Sequence, residues 1–164
     1  MRRVAAIVST AAVLMWSVGV FAQAKPSFAG KWVREAPAAP ATPPAGGGGG
    51  GGRQGGGGGG GFGMENTITQ DATTLTVDYM QGQNPAKLVF KLDGTESKNP
   101  GRGGAEQVSK AVWEGQKLVI TTTTPNGDSK RVLSLEGGNL VIETTNPGRE
   151  GGAPTTSKVV YKKG

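Results

Sequence analysis

The sequence predicts an all-β fold, an antiparallel up-and-down meander closing into a β-barrel of about 8–10 strands. Three observations carry this expectation. No segment sustains a helical period, whereas short runs rich in Val, Ile, Leu and Thr alternate apolar and polar residues at period two. Each run is bounded by Gly, Pro, Asn or Asp, the residues of tight turns. Tight and longer connections follow one another in alternation, which in a meander sends the tight turns to one end and the longer loops to the other.

Taken in chain order, Met1-Arg2-Arg3, the mostly apolar stretch 4–21 and the small-x-small pattern Ala22-Gln23-Ala24 read as a signal peptide over residues 1–24. Ser9, Thr10, Ser17 and Gly19 interrupt the apolar stretch and no basic stop-transfer run follows. A cleaved signal is therefore expected, with no membrane span in the mature chain. The chain is expected to be exported, to a bacterial periplasm or out of the cell.

Residues 25–35 supply the first barrel strand, at 28–34. Residues 36–63 form a Pro/Gly-rich linker: four prolines lie within 35–45, and 15 of the 30 glycines lie within 46–63. Glycine loses the most backbone freedom on ordering and buries no side chain, so this stretch is expected to be disordered. The rest of the barrel falls within 64–164, with strands expected at 64–70, 74–80, 86–92, 95–98, 107–114, 117–124, 129–136, 139–145 and 157–163. Tight turns are expected at 71–73, 93–94, 115–116 and 137–138, and longer loops at 81–85, 99–106, 125–128 and 146–157. Two of these loops share Asn-Pro-Gly-Arg, at 99–102 and 146–149, which reads as type II turn chemistry with Gly101 and Gly148 at positive φ. It also sets Arg102 and Arg149 at one rim.

The 164 residues include no Cys and no His and carry a net charge of +6. Disulfides, thiolate or imidazole metal sites and His-based triads are excluded, and no oxygen-only calcium loop is present, so neither a metal nor a cofactor is expected. Asp71, Asp93, Asp128 and Glu136 fall at turns, where turn chemistry accounts for them. An enzyme is not expected. The modest positive charge, without a stacking platform or groove-binding helix, does not favour nucleic acid. A monomer is expected.

The first strand carries Phe28-Ala29-Gly30-Lys31-Trp32, an F-x-G-x-W that resembles the first-strand signature of the calycin superfamily, the lipocalins and fatty-acid-binding proteins. Val160-Tyr161-Lys162-Lys163 is similar to the closing strand of the fatty-acid-binding proteins, and the hairpin from Lys130 to Glu143 to their penultimate one. Small exported bacterial proteins of lipocalin-like type also resemble this chain. The resemblance implies that Phe28, Gly30 and Trp32 form the structural barrel signature, with Trp32 plugging the closed end and Lys158 or Lys162 lying over it. It implies that Arg131 and Tyr161 anchor a ligand. The linker stands where the family carries a helical lid, and Val159 stands where the family has a further arginine.

The function expected is a non-enzymatic binding module for a small hydrophobic or amphipathic molecule entering at the loop-rich end. Arg131 and Tyr161 would supply polar anchors, and Phe90, Leu133 and Ile142 the apolar lining. The alternative is a ligand-free structural or protein-interaction domain of the bacterial envelope, with its lumen filled by side chains.

Overall fold

The computed structural model describes residues 24–36, 62–101, 105–148 and 152–164. Most of the signal and linker, together with Arg102 and Arg149, lies outside the described residues. The described residues form ten strands and no helix: β1 (Gly30–Arg34), β2 (Glu65–Gln70), β3 (Thr74–Gln81), β4 (Asn84–Lys91), β5 (Glu96–Pro100), β6 (Glu106–Glu114), β7 (Lys117–Thr124), β8 (Gly127–Glu136), β9 (Asn139–Asn146) and β10 (Thr155–Lys163). The antiparallel meander expected from the alternation is the observed fold.

The strands make one sheet in the order β4-β3-β2-β1-β10-β9-β8-β7-β6-β5, every neighbouring pair antiparallel. The β1–β10 ladder joins the two halves of the wall, Trp32 facing Lys163 and Arg34 facing Tyr161 in register. The two edges, β4 and β5, meet without a backbone ladder, and side chains bridge them instead. Asn99 accepts from the Val89 N–H at Oδ1 (2.6 Å) and donates from Nδ2 to the Val89 carbonyl (2.9 Å), while Ser97 Oγ accepts from the Lys91 N–H (2.8 Å). One amide side chain thus stands in for a peptide group and satisfies both groups of an edge residue.

Period two sets which residues face the lumen. Leu75 and Val77 on β3, Leu88 and Phe90 on β4, Leu118 and Ile120 on β7, Leu133 on β8, and Leu140 and Ile142 on β9 are buried in one core. Trp32, Phe28 and Tyr161 are its largest fully buried side chains, with Phe62 and Phe90. The end carrying the turns at 71–73, 93–94, 115–116 and 137–138 is shut by aromatics. Phe28 stacks on Trp113 (centroids 5.7 Å apart), and Trp32 Nε1 donates to the Phe28 carbonyl (2.8 Å). Gln70 holds the incoming chain, its Oε1 accepting from the Phe28 N–H (2.8 Å) and its Nε2 donating to the Pro26 carbonyl (3.2 Å).

The structure corrects several details. Lys163, not Lys158 or Lys162, lies over Trp32 (5.9 Å), because it is the residue opposite Trp32 in register. Lys158 and Lys162 pair instead with Glu136 (3.1 Å) and Glu35 (2.7 Å). The connections expected as longer loops at 81–85 and 125–128 are two-residue turns, since the β3–β4 ladder runs to Gln81↔Asn84 and the β7–β8 ladder to Thr124↔Gly127. Pro85 is accommodated because β4 is an edge strand, where a missing N–H leaves no ladder bond unmade. The Asn-Pro-Gly segments are not type II turns. Asn99 and Pro100 complete β5, Asn146 ends β9, and neither Gly101 nor Gly148 is among the glycines at positive φ. The engagement of Asn99 across the β4–β5 seam keeps it extended.

Candidate functional site

The open end contains a cavity of about 220 Å³. Phe62, Tyr79, Leu88 and Phe90 line its apolar wall, and Asn99, Gln107, Ser109, Thr122 and Arg131 its polar wall. The polar wall follows from strand parity. Ser109 on β6, Thr122 on β7 and Arg131 on β8 occupy inward positions two residues nearer the mouth than Ala111, Ile120 and Leu133 of the apolar core, and Ser109 and Thr122 are opposite in register. Their hydroxyls hydrogen-bond to each other at 2.8 Å. Ser129 Oγ donates to Asn146 Oδ1 (2.8 Å) one inward position further out on β8.

Arg131 is the central charge. It stands between Ile120 and Thr144 in register, on the lumen side of β8. Burial pushes its pKa below the usual guanidinium value, an effect that the Tyr79 and Tyr161 phenols oppose. No carboxylate lies within ion-pair distance of Arg131 among the described residues, and its Nε has no hydrogen-bond partner. Its guanidinium instead lies 5.6 Å from the centroid of the Phe62 ring. A half-buried cation facing a ring rather than an anion is only partly compensated for its desolvation. The cavity wall thus carries a positive charge with no carboxylate beside it among the described residues.

Tyr161 is fully buried, and burial pushes its phenol upward in pKa against the hydrogen bonds it makes. Its hydroxyl accepts from the Phe62 N–H (3.0 Å) and donates to the Gly63 carbonyl (2.9 Å). Of the residues expected at the site, Arg131 and Phe90 line the cavity. Leu133 and Ile142 lie fully buried in the packed core and are not among its lining residues, while Tyr161 reaches it through Phe62 and Gly63. Phe28 and Trp32 close the opposite end, and Gly30 takes φ 140°, with Lys163 and Trp32 beside it. Sequence reasoning missed Gln107, Ser109 and Thr122, whose inward parity was legible, Asn99, which was expected in a loop, and Phe62, the one aromatic among the glycines. Asn66, inward on β2 between Trp32 and Tyr79 in register, is buried with neither amide atom hydrogen-bonded.

A larger concavity of about 360 Å³ lies on the outer face of β1–β4, along Lys31, Glu65, Thr67, Asp78, Met80 and Lys87. It is open to solvent, and Asp78 and Lys87 already pair across it (3.3 Å). The cavity at the mouth, holding a charge with no carboxylate beside it among the described residues, is the better candidate.

No protein-family model matches the chain, and no curated protein matches it. Solved structures do. The barrel is similar to the zebrafish ileal bile acid-binding protein in complex with cholic acid (TM-score 0.51, 24% identity, covering 61% of this chain and 72% of that one). It is also similar to the REP1-NXSQ fatty acid transporter (0.50, 13%, 61% and 69%) and to a variant of the fluorescent protein UnaG (0.50, 20%, 61% and 70%). The first two are named for binding or transport rather than for catalysis. At these identities the likeness is one of fold, and the fold of this chain is the calycin-like barrel of the fatty-acid- and bile-acid-binding proteins.

Proposed function

We propose that the protein is an exported, non-enzymatic barrel that binds a small amphipathic anion in its lumen, with the anionic group at Arg131. The observation that carries this reading is the half-buried Arg131 guanidinium, with no carboxylate beside it among the described residues, at the wall of a half-polar, half-apolar cavity. A carboxylate or similar group would exchange the weak contact with Phe62 for charge-assisted hydrogen bonds. Ser109, Thr122, Gln107 and Asn99 would bond its polar substituents, and Phe90 and Leu88 would cover its apolar part. The barrel folds like proteins named for bile acid and fatty acid ligands, which supports a ligand of that general kind. Export rests on the sequence of residues 1–24.

The test is a calorimetric titration of the protein with matched carboxylates and uncharged alcohols, repeated on R131Q. Loss of one charge-assisted anchor should weaken carboxylate binding about 10–100-fold while leaving alcohol binding nearly unchanged. Equal effects on both probe classes would remove Arg131 from the site.

A second reading, a ligand-free structural domain, draws on one observation. The cavity of about 220 Å³ is below the ~300 Å³ at which small-molecule sites usually begin. Native mass spectrometry of protein purified from its own compartment separates the two. A co-purified small molecule supports the binder, and none, with no response to added amphiphiles, supports the structural domain.

A further inference from the structure

We propose that Phe62 is a resident surrogate ligand, occupying the apolar half of the binding site and setting which amphiphiles the barrel admits. This deepens the ligand-binding reading and rests on it.

Phe62 lies before β2 and outside every ladder, so no strand register requires it to face inward. Yet it is only 2% exposed. Its ring packs against Phe90 (centroids 6.4 Å apart, tilted by 42°) and under the Arg131 guanidinium (5.6 Å). These are the contacts an amphiphile would make in this lumen: apolar surface on Phe90 and something electron-rich toward Arg131. The backbone is pinned at the same point, since the Tyr161 hydroxyl accepts from the Phe62 N–H and donates to the next carbonyl. Gly63 makes the inward dip possible. Its φ is 124°, and a Cβ there would come within 3.2 Å of Tyr79 Cδ2 and 3.3 Å of the Met80 carbonyl. The local chemistry thus aims one aromatic side chain into the site.

The ring is exchangeable because its own polar contact, with the guanidinium, is weak. A phenyl face satisfies a desolvated guanidinium less well than a carboxylate does. A ligand that brings both a carboxylate and an apolar chain replaces the ring on Phe90 and gives Arg131 an anion, and departure of Phe62 frees the Tyr161 hydroxyl. Small anions fit beside Phe62 in the cavity of about 220 Å³, whereas long-chain carboxylates need the volume of its ring as well. The apparent affinity for long chains is then reduced by the fraction of molecules in which Phe62 has left.

The full-length mature chain, F62A and F62A/R131Q would be titrated with a fluorescent long-chain polyene carboxylate. F62A should bind about tenfold or more tightly than the unmodified chain, and F62A/R131Q should lose most of that gain. The double variant separates a specific site from general adhesion to a loosened core. In the unmodified chain, hydrogen exchange at the Phe62 amide should accelerate at saturating probe while the strand amides stay protected, a readout that does not depend on how the variant folds. A folded F62A that binds no more tightly than the unmodified chain, or a Phe62 amide that stays protected at saturation, overturns the surrogate-ligand role and leaves the binding reading standing. Failure of all three proteins to bind any carboxylate, long or short, overturns the binding reading itself and the role of Phe62 with it.

Discussion

Arg131 shows a conflict between stability and recognition at a single residue. Its charge is half-buried with no anion beside it among the described residues, so the folded state bears a desolvation cost that the Phe62 ring offsets only in part. R131M should therefore raise the urea midpoint, by about 1 kcal/mol or more of stability, while weakening carboxylate binding. A fall in stability would mean that the guanidinium is satisfied in the free protein. Leu133, two residues on, has the same inward parity but the opposite role, being fully buried in the core. L133A should cost about 2–5 kcal/mol, measured by chemical denaturation, with no preference between charged and uncharged probes. Parity placed both side chains inside from sequence. What distinguishes them is depth along the lumen, which depends on where β7 and β9 end in space, and sequence patterning does not carry that.

At the scale of elements, the β4–β5 seam and the turns are the sensitive parts. N99A would leave the Val89 N–H and carbonyl without their bridge, and should cost about 1–3 kcal/mol and speed hydrogen exchange at Val89 and Lys91 ahead of the other strands. Asp71 accepts from the N–H and hydroxyl of Thr73 and the N–H of Thr74, and Asp93 from the N–H and hydroxyl of Thr95. These bonds favour the carboxylates and hold both below the usual pKa range. Because the folded-state values are depressed, the stabilisation is complete above the unfolded value of about 4 and is lost as pH falls through the lower folded values. D71N and D93N should flatten the dependence of the urea midpoint on pH in that acid window. The turns at 71–73 and 93–94 were readable from Asp and Gly in the sequence. The seam was not, because nothing local tells that two strands approach without pairing, or that the first residue of an Asn-Pro-Gly segment is engaged across it.

The whole molecule is a wall closed by one long-range ladder. β1 meets β10 across nearly the full chain length, and the Arg34 N–H donates to the Met64 carbonyl at 2.7 Å. The two ends of the 35–63 connection are thus already side by side. Replacing residues 37–61 with a short Gly-Ser bridge should preserve cooperative thermal unfolding, whereas extending the deletion through Gly63 removes the buried Phe62 ring and should lower the melting temperature. By itself the sequence determined the all-β class, a meander of about 8–10 strands, the inward face of the strands with clear alternation and the exclusion of Cys- and His-based chemistry, because period two, turn residues and composition are local or global properties of the chain. Only the tertiary structure decided which inward residues meet at the mouth, that no described carboxylate reaches Arg131, and that Phe62 occupies the place beneath it. Those depend on contacts between residues distant in sequence, and no periodicity encodes which distant side chain arrives to fill a space.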